Sequence, residues 1–123
     1  MNVSDKSKAR HYTRDGIVSY LMVSNEGCGA KKLTATLVEM EPGGFQGIHT
    51  HEAEQCYYIL EGHGRMTIGD EIREVSAGMC VFIPSNDPHG LVNSTDSPLR
   101  YFSASTPPYG ADLERSMWPV KGE

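Results

Sequence analysis

Four side chains in this 123-residue chain have the types and spacing to share one metal ion. His49 and His51 sit two apart in "GIHTHEAEQ", Gln55 follows the second by four, and His89 comes later, behind the turn "IPSNDP". Along a strand, residues i and i+2 project from the same face, so the two histidines point together. Gln55 returns to that face if a short turn over residues 52–54 keeps the parity. Imidazole is the commonest metal-binding side chain. Three imidazoles and one amide oxygen are a reasonable ligand set for a divalent transition metal such as Mn, Fe, Co, Ni or Zn. The competing reading is plain: an isolated His-x-His in a polar strand is more often two exposed side chains. Glu52 and Glu54 read as solvent-facing, with Glu54 a reserve ligand should the turn shift by one residue.

The elements that must position these groups read as strands. Short apolar or alternating runs fall at 17–23, 33–40, 48–50, 55–60, 64–68, 72–75, 79–83, 89–93 and 99–104. Between them stand explicit turns: "EPGG", "GD", "SAG", "PSNDP" and "NSTDSP". Many short strands at spacings near ten residues predict an all-β sandwich or barrel. The length predicts one domain over 1–123, with a polar N-terminal arm at 1–15 and a tail at 107–123. In the tail, Pro107 and Pro108 stop the sheet. "ADLERSMW" there could form one or two helical turns. The single Trp118 reads as a packing plug or a dimer contact, with a functional lid as the alternative.

The bulk numbers exclude some functions. Net charge is −5, which argues against a nucleic-acid partner, since such proteins carry a basic stripe, and gives no support to a membrane surface. The first apolar stretch, 17–23, is too short and too polar for a signal-peptide core or a membrane span. Cys28, Cys56 and Cys80 form no Cys-x-x-Cys pair, which reads as reduced thiols in a cytoplasmic protein. There is no phosphate-binding glycine loop and no serine nucleophile elbow.

Two stretches together carry a resemblance. Gly43-x5-His49-x-His51-x3-Gln55-x6-Gly62 resembles the first motif of the cupin superfamily, and Gly78-x5-Pro84-x-Asn86-x2-His89-x3-Asn93 resembles the second. Every spacing agrees. Two identities depart: Gln55 stands where the family usually has Glu, and Asn86 replaces the glycine of the second turn. Asn tolerates a positive φ better than most residues. The resemblance implies a double-stranded β-helix, or jelly-roll barrel, motif 1 at 43–62 and motif 2 at 78–93. It also implies one metal near the open end on His49, His51, Gln55 and His89, and pairing as a homodimer. Gly43 and Gly44 would turn the chain before the ligand strand, and Gly62 and Gly78 would allow geometry a Cβ would obstruct.

The glutamine changes the expected chemistry. A divalent ion on three neutral imidazoles and one neutral amide keeps its full charge. Bound water should be more acidic than beside a Glu, and anionic ligands should bind better. A high oxidation state loses support. These leanings favour Lewis-acid chemistry on a small oxygenated acid or sugar-derived substrate: isomerisation, lyase or ring-opening reactions, with a dioxygenase-type reaction less favoured. The Gln variant is similar to cupins that linearise unsaturated uronates, but their assisting carboxylate from the closing strands has no counterpart in "LRYFSAST". On ideal alternation Tyr57 shares the face of Gln55, as an acid or hydrogen-bond donor toward the cavity or as a packing tyrosine. Arg100 could pair with an acidic substrate if it points inward, or be a solvated strand charge. Phe102 shares its face and could line the pocket. His11 and His63 match no motif position and read as surface residues. The alternative to an enzyme is a metal-dependent module that captures a small ligand without turning it over.

Overall fold

The structure is a computed structural model and describes residues 1–108 and 117–118. The "ADLERSM" part of the expected tail helix lies largely outside these residues. Ten strands are present among the described residues: β1 His11–Arg14, β2 Ile17–Val23, β3 Thr34–Met40, β4 Phe45–His49, β5 Glu54–Glu61, β6 His63–Ile68, β7 Glu71–Ser76, β8 Cys80–Ile83, β9 His89–Val92 and β10 Leu99–Thr106. They form a six-stranded sheet in the order β1-β2-β3-β10-β5-β8 and a four-stranded sheet in the order β4-β9-β6-β7. All the pairings are antiparallel. This is the all-β jelly roll that the strand spacing and the resemblance led us to expect.

Alternation decides which side chains enter the barrel. On β5 the buried residues are Gln55, Tyr57 and Ile59, and on β10 they are Leu99, Tyr101, Ser103 and Ser105. The core joins these to Ile17, Val38 and Met40 from β2 and β3 and to Met66 and Leu91 from β6 and β9. Burial of these apolar faces supplies the main driving force for closing the two sheets.

Several strand ends move by one or two residues from the sequence reading, and three differences have an identifiable cause. The supposed N-terminal arm contains β1, which pairs with β2 at the sheet edge (His11↔Tyr20 to Arg14↔Ile17). Its residues are polar because an edge strand is largely exposed, so alternation gave no signal. The two-residue connection is Asp15-Gly16, with φ of 54° and 76°. Such Asp-Gly turns suit the twist of a two-stranded hairpin. β4 begins at Phe45 and ends at His49, so His51 lies beyond the strand. β8 begins at Cys80, because the Met79 N–H closes a turn onto the Ser76 carbonyl at 3.0 Å.

Two turn positions are fixed by steric demands. Gly62 has φ of 80°. A Cβ there would run into the Pro98 carbonyl and Leu99. Asn86 has φ of 65°, the left-handed conformation the second motif needs, and asparagine accepts it where most residues would be strained.

Asn93, the last residue of the second motif, ties three segments together. It is fully buried. Its Nδ2 donates to the carbonyls of Met40 (3.2 Å), Glu41 (3.2 Å) and Ser97 (2.8 Å). Its Oδ1 accepts from the Thr95 N–H (3.1 Å) and hydroxyl (2.7 Å). Asn93→Ala would strand these buried groups. It is expected to lower the unfolding free energy by roughly 2–4 kcal/mol, read as a lower midpoint in urea with an unchanged slope; a loss below about 0.5 kcal/mol would contradict the assignment.

Candidate metal site

The site is built on a strand pairing. β4 and β9 are hydrogen-bonded neighbours, and their register sets His49 directly opposite His89. The two imidazole centroids are 4.2 Å apart. His51 follows two residues after β4, outside the strand, and needs separate support. The Asn86 N–H donates to the His51 carbonyl at 2.8 Å, and the Ser85 hydroxyl donates to the Glu52 carbonyl at 2.5 Å. The turn of the second motif therefore clamps the ligand loop of the first. His51 reaches within 5.5 Å of His49 and 4.7 Å of His89, ring centre to ring centre. One nitrogen from each histidine falls within 4.8 Å of the others.

The backbone also sets how the rings present themselves. His49 Nδ1 lies 2.7 Å from the Gly47 carbonyl, His51 Nδ1 2.8 Å from that of Ala53, and His89 Nδ1 2.9 Å from that of Asp87. A carbonyl only accepts, so each Nδ1 carries the hydrogen. The lone pair of each neutral ring is then on Nε2. Such bonds fix the tautomer of metal-binding histidines. His89 Nε2 is buried with no hydrogen-bond partner. A buried polar atom left unpaired is costly; an ion at this point would satisfy it.

Gln55 completes the cluster. Its side chain is only 6% exposed. Its Nε2 donates to the Ser103 hydroxyl at 2.6 Å. That contact turns its Oε1 to within 2.8 Å of His51 Nε2. With Nδ1 of His51 already donating, these are two electron-pair donors face to face. For a neutral His51, a cation shared between the two atoms would relieve that opposition. Ligand bonds of about 2.1 Å put neighbouring ligand atoms about 3 Å apart around an octahedral ion, so the spacing suits two ligands of one metal. The donor set fits a divalent transition metal.

The electrostatics favour the neutral form of His49 and His89, the state that binds metal. Burial pushes His89 down to about 4, against the opposing pull of the Asp87 carbonyl, and the neighbouring His49 and His51 add to the depression. Burial also lowers His49, helped by His51 and by the positive charge of Arg14.

Around the cluster lies a cavity of about 500 Å³. Tyr57 lines it, as alternation on β5 predicts, with its ring 6.5 Å from His89 and 4.4 Å from Tyr101. Glu52 and Glu54 are exposed, and Glu54 points out of the barrel, opposite to Gln55. Arg100 and Phe102 do not enter the cavity. The phase of β10 turns Tyr101 and Ser103 inward, so Phe102 is exposed and Arg100 pairs across the outer face with Glu39 (3.0 Å) and Glu61 (3.7 Å). His11 and His63 are exposed, as expected.

The sequence reading missed several cavity residues. Ser103 orients Gln55; alternation puts it on the face of Tyr101 but does not say which face of β10 turns inward. Arg14 and Asp15 stand at the rim; the Asp-Gly dipeptide marked their turn but not where it would dock. Trp118 closes one wall. Its indole donates to the Ser19 carbonyl at 3.0 Å, its ring meets Tyr12 edge-on at 5.2 Å, and Arg10 donates to its carbonyl at 2.8 Å. The packing-plug reading describes this contact.

Comparison with known proteins agrees with the architecture. The family described as "Cupin domain" matches residues 36–105. An uncharacterised protein of Methanocaldococcus jannaschii is 37% identical over 107 residues, covering 85% of this chain and 84% of its own. The oxalate-binding protein of Thermotoga maritima is 28% identical over 83 residues, covering 67% of this chain and 69% of its own. The solved structure of KdgF from a Halomonas species superposes with a TM-score of 0.77 at 19% identity, covering 92% of this chain and 98% of that one. Motifs, barrel and family match agree, and the chain belongs to the cupin family.

Proposed function

We propose that this protein is a mononuclear metal-binding cupin enzyme. Its ligands are His49, His51, Gln55 and His89, and it acts on a small oxygenated acid or sugar-derived substrate. The observation that carries this reading is the convergence of three histidines whose Nδ1 atoms are all committed to carbonyls, beside a buried His89 Nε2 that lacks a partner. When bound, a divalent ion would supply Lewis acidity, polarising a carbonyl or acidifying a water. The chain's residues do the rest. Ser103 holds the Gln55 amide, which adds no negative charge and leaves the site attractive to anions. Tyr57 is buried against the cavity and can donate its phenolic proton to a substrate oxygen. Tyr101, stacked on it, restricts its position. Trp118 keeps water from one side.

This combination favours isomerase, lyase or ring-opening chemistry. Uronate linearisation remains a candidate within that class, with a changed assisting group, because the inward residues of β10 include no acid. The second reading, a ligand-capturing module, draws on the similarity to an oxalate-binding protein. Among the described residues no helix is long and apolar enough to cross a membrane. In a homodimer, the outer face carrying Tyr58, Leu60, Phe82 and Phe102, all exposed, is the surface we assign to the contact.

Metal content separates these ideas first. Wild type is expected to carry about one ion per chain after incubation with Mn, Fe, Co, Ni or Zn. His51→Ala, purified alongside without a His tag, is expected to lose it; retention in the variant would exclude the ligand set. Tyr57→Phe should leave metal content intact. For an enzyme it should lower kcat by about 10²–10⁴-fold, the usual worth of a general acid; for a capture module turnover is absent in both forms. Chelation should lower the melting temperature. In the metal-free chain, stability should fall further as pH drops from 6.5 toward 4. Over that window the unfolded histidine binds a proton that folded His89 refuses, so low pH favours unfolding. Below about 4 both states are protonated and the slope contributed by His89 ends. Melting scans at stepped pH check this, with His89→Asn expected to flatten the dependence.

A further inference from the structure

We propose that Arg14, at the tip of the β1–β2 hairpin, is the residue that docks an anionic group of the ligand and selects ligands with an acidic group at each end. The inference rests on the reading of His49, His51, Gln55 and His89 as a metal site, which would take one end of the ligand.

The hairpin tip is fixed to the strand that bears His49. The Phe45 N–H donates to the Asp15 carbonyl at 3.0 Å, and the Glu41 N–H donates to the Gly16 carbonyl at 2.9 Å. Gly16 and Gly44 are packed so closely that a Cβ on Gly16 would stand 2.7 Å from the Gly44 Cα. β1 therefore has a set position beside the head of β4. From it, Arg14 and Asp15 line the same cavity as His49, His51 and Gln55.

Arg14 is held only loosely. Its Nε lies 3.6 Å from the Asp15 carboxylate, and the two side chains are 58% and 44% exposed. Its guanidinium carbon sits 5.6 Å from the Tyr12 ring centre. An exposed pair between neighbouring residues contributes little, so a ligand carboxylate can displace Asp15 at small cost. A guanidinium suits this task, because it offers a planar, bidentate fork to a carboxylate. The chain as a whole is acidic, at −5. The neutral ligand set would hold a cation on one side of the cavity, and Arg14 stands on the other, its charge shared only with the exposed Asp15 carboxylate. A ligand spanning the two needs two anionic groups.

Succinate and butyrate test this, since both have four carbons and differ by the second carboxylate. Titration calorimetry is run on metal-loaded wild type, Arg14→Gln and Asp15→Asn, and on His51→Ala carried through the same loading step. The expected result is succinate binding about ten-fold more tightly than butyrate to wild type, the low end for a charge-assisted pair that is partly exposed. In Arg14→Gln the preference should vanish while the butyrate affinity stays. In Asp15→Asn succinate should bind a few-fold more tightly, because the competing carboxylate is gone and asparagine keeps the positive-φ turn. A preference that survives Arg14→Gln, or binding of neither acid to wild type, overturns the proposal. The metal reading fails differently: butyrate binding would then be unchanged by His51→Ala, whatever Arg14→Gln does.

Discussion

The site depends on the pairing of β4 with β9, which sets His49 opposite His89 in an antiparallel ladder. The two residues are forty positions apart in sequence, and only the sheet register brings them within ring contact. A one-residue slip would turn one imidazole to the opposite face. The surrounding structure guards against that slip. Asn93 N–H and carbonyl bond with Gly44 and Gly43 at 2.9 Å each, just before β4, while the Asn93 side chain anchors the end of β3. The spacing of the second motif thus has a mechanical meaning. Pro84 and Asn86 form the turn that holds the His51 loop, His89 supplies a ring, and Asn93 locks the register.

Neutrality is the other property that shapes the chemistry. Each histidine donates its Nδ1 hydrogen to a backbone carbonyl, and the fourth group is an amide held by a serine hydroxyl. Nothing in this set offsets the charge of a divalent ion. The acid at the rim, Asp15, belongs to a hairpin that also carries Arg14. On the proposed metal, charge compensation would be left to the ligand. That links Gln55 to Arg14 at the rim and to the class of molecule we propose the cavity admits.

Much of this was legible in the sequence because it rests on local rules. Alternation placed Gln55, Tyr57 and Ile59 on one face of β5, and the motif spacing brought His49, His51 and His89 together. Asn86 was readable as a positive-φ residue. The failures have physical causes as well. β1 is a polar edge strand with no buried periodicity to report. The inward phase of β10 depends on how it packs between β3 and β5, so Arg100 and Phe102 turned outward into a cross-strand ion-pair surface. Arg14 and Asp15 reach the cavity through backbone hydrogen bonds to residues 41 and 45, and such bonds leave no mark in side-chain types. His51 is positioned from a loop rather than a strand, because the turn at Ser85 and Asn86, about thirty-five residues further along the chain, supports it.

The most direct test of the central claim is X-ray absorption at the metal edge of the Co- or Zn-loaded protein. The account predicts the multiple-scattering pattern of three imidazoles, with the remaining scatterers oxygen at about 2.0–2.2 Å. Replacing Gln55 with Ala should remove an oxygen while keeping all three imidazoles. Sulfur in the shell, or fewer than three imidazoles, would contradict the account.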